Sequence, residues 1–241
     1  MEVHAHTHTP RKRWTHYFWE FFMLFLAITL GFFMENQREH FVEKKRAKIL
    51  AQSLYNDIKK DTAGLYEAMR FSHMKNDSID AAIQMLHLPR NKWKDTVLYT
   101  NLNIASRVYP FELTQGTYEQ IKFSGSLRYF PQMLVNKLNA YDVQAKRVLK
   151  REDIDIKVII EQYFPVIHAF FNAEVATDIR LGLPITHELY FTRTDIAMLR
   201  ELINIISTVK TIRTRSMYEY EVLLGMARAL LSELKEKYHL D

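Results

Sequence analysis

Three groups of residues in this 241-residue chain have the types and spacing to do chemistry. His4, His6 and His8 alternate near the N-terminus, a pattern that can bind a soft divalent metal. No fourth ligand accompanies them, and a copper site built on the free amine wants its His at the third position, not the fourth. The expectation is therefore a disordered tail over residues 1–13 and no metal site. Glu20 is an ionisable group inside an apolar run, and such a group near the middle of a membrane costs a few kcal/mol. At about 100° per residue, His16, Glu20, Ala27 and Gly31 share one side of a helix. Ala27 and Gly31 make a small-x-x-x-small pair, which lets two helix backbones approach. This face can pair with a second helix, with Glu20 hydrogen-bonded to the partner or protonated. Alternatively Glu20 snorkels to the interface and the small residues are incidental. Asp57 and Asp61 stand four apart beside an apolar stripe, and Lys210 and Arg213 fall on the core side of the last helix. Carboxylates at a buried edge need partners, and these cations are the candidates; the alternative is that both pairs fan outward into water.

Other chemistry is excluded by what the sequence lacks. It has no nucleophile elbow, phosphate-binding Gly loop, HExxH or paired His/carboxylate helix motif, so no enzyme is expected. Zero Cys excludes disulfides and thiolate metal sites. No cofactor is expected. The net charge of +5 is modest, and its basic clusters are dispersed along helical segments with no nucleic-acid motif behind them.

The elements that must position these groups begin with an anchor. Phe21 to Met34 is uninterrupted apolar sequence, but at about 1.5 Å per residue it spans only about 21 Å. Extending back to Trp14 reaches the roughly 30 Å of a hydrocarbon core, with Trp14, Tyr17 and Trp19 suited to one interface. The exit, Glu35-Asn36-Gln37-Arg38, offers no small-x-small cleavage site, so residues 14–34 read as an uncleaved transmembrane helix. Arg11, Lys12 and Arg13 abut its N side, which leans towards N-inside with the domain outside, although basic residues flank both ends.

Residues 35–241 read as one helical domain. Gly and Pro are scarce, and Ala47, Leu50, Leu54, Ile58, Leu65 and Met69 lie on one helical face, so the anchor should run on as a long stalk. A polar break is expected at Lys75-Asn76-Asp77, then a helix from about Ser78 to Leu88 and another from about Asp95 to Arg107. Thr117-x-x-Gln120 reads as a capping box for a short helix stopped at Gly125. A long helix should run from Pro131 to about Phe171, kinked at Pro165, with Leu134, Leu138, Tyr141, Ala145 and Val148 on its inner face. Ala173 to Thr192 reads as a loop. A last long helix should start near Thr194-Asp195 with a 3-4 spaced apolar stripe. The fold class is all-α: one transmembrane helix continuing into a stalk, with an elongated antiparallel bundle of about three long helices plus short ones.

Two stretches together resemble a known family. They are Glu20 to Asp61, EFFMLFLAITLGFFMENQREHFVEKKRAKILAQSLYNDIKKD, and Thr117 to Asp142, TYEQIKFSGSLRYFPQMLVNKLNAYD. They look like a domain-of-unknown-function family of Bacteroidota single-span membrane proteins. That family has a Glu-containing N-terminal span and a later Thr-Tyr-x-x-Leu-Lys-x-Ser-Gly motif. The matching residues are Glu20, Asn36, Glu39, Asp57, Asp61, Thr117, Tyr118, Lys122, Ser124 and Gly125. The departures are Glu35-Asn36-Gln37-Arg38, where the family has Asn-Asn-Trp-Asn, and Ile121 for Leu. The resemblance implies a helical protein of a bacterial inner membrane and supplies no activity. The corner of Thr117, Tyr118, Lys122, Ser124 and Gly125 is a possible interaction site, or simply a helix-turn-helix corner.

The functional expectation is a membrane-anchored helical module for protein–protein interaction or self-assembly, its domain periplasmic. Its expected partners are the lipid bilayer and either a second copy or another membrane protein. The alternatives are a signal-input bundle and a small ion- or proton-conducting oligomer built around Glu20.

Overall fold

A computed structural model describes residues 14–240. The fold is all-α, and the described residues hold no strand beyond one isolated bridge, Phe171 to Phe191. The first helix, α1, runs unbroken for 73 residues, Trp14–Leu86. It is followed by α2 (Asp95–Ala105), α3 (Gly116–Phe123), α4 (Gln132–Val158), α5 (Phe164–Phe170), α6 (Ala173–Leu181) and α7 (Ile196–Tyr238). The chain divides into two compact units, residues up to Ile49 and residues from Leu50 onward. The packed unit thus starts at Leu50, whereas the apolar run that marks the span ends at Met34.

Within the first unit, residues 14–34 are exposed throughout. This is the one helix among the described residues long and apolar enough to cross a membrane, with a mean hydropathy of 1.8 over its best window and no buried residue in it. Its rings pair along the helix, Phe18 on Phe22 and Phe21 on Phe25 with centroids 6.3 Å apart, the i, i+4 spacing that brings helical side chains together. The tail bearing His4, His6 and His8 lies outside the described residues.

The second unit is a bundle of α1 (from Leu50), α4 and α7. The apolar stripes are where the spacing puts them: Leu54, Ile58 and Leu65 of α1, then Leu134, Leu138, Tyr141, Ala145 and Val148 of α4, then Ile206, Met217, Tyr220, Leu224, Ala227 and Leu234 of α7 are all buried. The expected antiparallel arrangement holds for α7 against its neighbours. Lys137 of α4 meets Glu233, and Asp155 meets Arg213. Tyr66 of α1 meets Arg228, and Asp80 meets Lys210. α1 and α4, however, run the same way, because the stretch 87–131 carries the chain back along the bundle between them.

Three expectations about local structure are corrected. Lys75-Asn76-Asp77 does not break α1; Lys75 and Asn76 are buried, and no Pro lies between Trp14 and Pro89 to stop the helix. Residues 173–181 form α6 rather than loop. Asn172 caps it by accepting from the Glu174 N–H, and it closes in a Schellman turn with Gly182 left-handed at φ 68° and the Leu183 N–H on the Asp178 carbonyl. The Thr117 capping box does not form, because Thr117 lies inside α3, whose N-cap Gln115 makes no side-chain cap. Pro165 has its effect upstream. α4 passes into a π turn at Ile159–Tyr163 before α5 begins, a register change beside the missing proline donor.

The core of this unit is two clusters rather than one. Core I gathers residues 51–68 of α1, 134–148 of α4 and 217–234 of α7, together with Phe111, Tyr118 and Ile121. Core II gathers residues 79–86 of α1 and 198–209 of α7 with the buried apolar residues of α2, α5 and α6. Between the two, the side chains buried from the three long helices are Ser72, Lys75, Asn76, Ser78, Glu152, Arg213 and Ser216.

Candidate functional site

The expected pairing of Asp57 and Asp61 with Lys210 and Arg213 does not occur. Asp61 is indeed buried, at 1 % exposure, but its partners are uncharged. One oxygen accepts from the Thr114 N–H at 2.8 Å and the other from the Tyr141 hydroxyl at 2.8 Å. Burial raises its pKa, and these hydrogen bonds oppose that rise. Asp57 accepts from the Thr117 N–H at 3.3 Å. Lys210 instead grips Asp80 through both carboxylate oxygens, at a half-exposed edge.

Glu152 of α4 repeats the pattern. Its Oε1 accepts from the Phe111 N–H at 2.9 Å and from the Tyr220 hydroxyl at 2.5 Å. The non-helical segment 106–115 therefore has no ladder of its own. Carboxylates from α1 and α4 hold its main-chain N–H groups, which satisfies donors that would otherwise be buried unpaired. Acceptors engaged in this way are positioning groups, so Asp57 and Asp61 have a structural role here. The signal was present as carboxylates on the stripe's edge, but their partners are backbone atoms, which no residue spacing marks.

The corner residues come together locally. Tyr118 is buried and its hydroxyl donates to Asn139 Oδ1 at 2.5 Å. Lys122 lies 5.5 Å from the Tyr118 ring and 3.8 Å from Glu119, Ser124 bonds Ser126 at 2.7 Å, and Gly125 turns the chain at φ 68°. This is a helix-turn-helix corner in which Thr117 lends only its N–H. The adjoining cavity, between Asp57, Asp61, Leu138 and Tyr141, holds about 30 Å³, room for water.

The buried ionic group between the two cores was only partly legible. Arg213, at 1 % exposure, donates through Nη2 to the Ala105 carbonyl at 3.1 Å and stands 3.5 Å from Asp155. Its Nε and Nη1, with Asp155 Oδ1, make no hydrogen bond. Lys75, at 4 % exposure, lines the same cavity with Ser72, Glu152, Asp155, Ser216 and Tyr220, and the cavity holds about 20 Å³. Burial first, then repulsion by Arg213, lowers the Lys75 ammonium from 10.5 to about 8, with Asp155 and Glu152 pulling the other way. Burial likewise lowers Arg213 and raises Glu152. An amine near pH 8 is suited to general-base work, but this space admits water and not a substrate. Larger hollows, about 710 Å³ along Gln162, Arg200 and Asn204 and about 270 Å³ along Phe164, His168 and Arg180, lie open on the surface. No three His, Asp or Glu among the described residues stand close enough to hold a metal ion.

On the first unit, His16 Nε2 lies 3.0 Å from Glu20 Oε1, one turn apart. Gly31 has open space around it: a Cβ built there meets nothing within 4 Å. Ala27 and Gly31 share the outward surface of an exposed helix. No family model, no curated protein and no solved structure matches this chain.

Proposed function

We propose that this protein is a single-span, membrane-anchored helical module that works by contact with another protein or a second copy of itself. One observation carries the reading. Residues 14–34 form a helix rich in Phe and Leu that the fold leaves wholly exposed. A full turn of such side chains in water would forfeit roughly 25 cal/mol per Å² of apolar area, so lipid or another helix must cover it. The His16, Glu20, Ala27 and Gly31 side is the part suited to a helix rather than to lipid, since it carries polar groups and little bulk. This reading places the chain in a bacterial inner membrane with the bundle in the periplasm, and among the Bacteroidota single-span proteins that it resembles.

The test is carbonate washing of membranes followed by cross-linking. The chain should stay in the pellet and cross-link to itself or a partner, and Gly31→Leu should weaken that capture. A chain released by carbonate ends the anchor reading; cross-linking unchanged by Gly31→Leu ends the pairing face. Because the sequence has no Cys, a single cysteine at the exposed Lys237 reports orientation by its reaction with an impermeant maleimide on intact cells.

A further inference from the structure

Four stretches of chain cross the level between core I and core II. In α1 it is residues 70–78, in α4 150–157 and in α7 210–216, and none of these belongs to or packs against either apolar cluster. The fourth is the irregular segment that leaves α2 at Ala105, in core II, and reaches Phe111, in core I. At this level the side chains buried from the three long helices are Ser72, Lys75, Asn76, Ser78, Glu152, Arg213 and Ser216, with the partly buried Asp155 beside them. Interlocked apolar side chains resist sliding because every displacement opens voids. Charged groups around a water-sized space do not interlock in that way, since a single water can move with them and remake their hydrogen bonds.

The polar contacts here are also incomplete. Arg213 Nε and Nη1, Asp155 Oδ1 and Asn76 Oδ1 are buried without a hydrogen-bond partner, and the cavity lined by Arg213 and Asp155 holds about 20 Å³, enough for one water. A water suits this set better than an anion does. It donates to Asp155 while accepting from Arg213, and the formal charges of Lys75, Arg213, Glu152 and Asp155 already cancel. The backbone offers slack next to it, where α4 enters core II. The π turn Ile159–Tyr163 begins one residue past Val158, and Pro165 follows it. π turns and prolines are where helices bend.

We infer that the bundle is jointed at this hydrated ionic waist, and that core I and core II open and shift as separate bodies across it. The inference does not depend on the membrane reading, because all of these residues lie within the second unit.

Hydrogen exchange of the full chain in detergent micelles, followed by mass spectrometry across sub-denaturing urea, tests it. Amides of residues 134–148 and 217–234 should exchange through one opening, and those of 164–170 and 198–209 through another with a different urea dependence. A single opening shared by both sets overturns the joint. In the variant Lys75→Met, Asp155→Leu, Arg213→Met, an apolar waist should merge the two openings. Openings that stay as separate as in the wild type would place the division elsewhere and also overturn it. Should that variant not fold, Lys75→Met alone serves: the gap between the openings should narrow, and an unchanged gap counts against the joint.

Discussion

Lys75→Met is the most direct probe of the buried charge. Lys75 is 4 % exposed, and its ammonium falls from 10.5 to about 8 because burial strips its water and Arg213 repels it. In the unfolded chain the ordinary value returns. Below about pH 8 both states carry the proton and folding bears the whole penalty. Between about 8 and 10.5 the unfolded chain holds a proton that the folded chain has shed, so stability gains with rising pH in that window. At about 1.36 kcal/mol per pH unit, the gain attributable to Lys75 is about 3 kcal/mol. Met keeps the length of the side chain and removes the titration. Other groups titrate in this range as well, so the quantity to follow is the difference between wild type and variant. Urea unfolding of the full chain in micelles, read by far-UV circular dichroism from pH 7.5 to 10.5, should show the wild type gaining about 3 kcal/mol relative to Lys75→Met. A difference that stays flat to within about 1 kcal/mol would mean that the ammonium is not held inside the folded bundle, and the placement of Lys75 in the interior of the waist would fail.

Further outcomes follow from the hydrogen bonds. Asp61→Ala leaves the Thr114 N–H and Tyr141 hydroxyl buried and unpaired, at about 1–3 kcal/mol each, while Asp61→Asn keeps an acceptor and should cost clearly less in the same urea assay. A double-mutant cycle of Asp61→Ala with Tyr141→Phe should be non-additive by more than about 0.5 kcal/mol, whereas the cycle of Asp61→Ala with Arg213→Ala should be additive. Asp80→Ala should change stability by only about 0–1 kcal/mol, since its Lys210 partner is half-exposed and water replaces the contact. Gly125→Ala should destabilise by about 1 kcal/mol, measured as a lower urea midpoint, because φ there is 68°.

The long helices were legible because their apolar spacing repeats over many turns, and a stripe such as Leu134, Leu138, Tyr141, Ala145 and Val148 has only one way to be buried. α6 was not, being nine residues long between a Pro-containing turn and the end of α5, although Asn172 and Gly182 are ordinary start and stop signals. The Lys75 stretch misled for a physical reason. Polar residues in a helical pattern normally signal exposure, and here they face a polar interior. The ion-pair partners failed at the next level. Spacing says which face of a helix a carboxylate occupies, but not which way the neighbouring helix runs. With α4 parallel to α1, Asp61 finds Tyr141, and with α7 reversed, Arg213 lies beside Asp155, far along α1 from Asp61.

The segment 106–115 carries a consequence for how this chain can vary. Asp61, Asp57 and Glu152 grip main-chain N–H groups, which every residue but proline supplies identically. Much of the demand for particular side chains therefore sits on α1 and α4, while the exposed Glu112 is at liberty to be almost anything else. Proline at 111, 114 or 117 is the exception, since it would erase a gripped donor. In relatives of this protein the segment should keep apolar side chains at 111 and 113, vary in composition elsewhere, and yet hold its place on the bundle. An alignment scored on that segment would miss them, whereas one scored on the spacing of the distant carboxylates would find them.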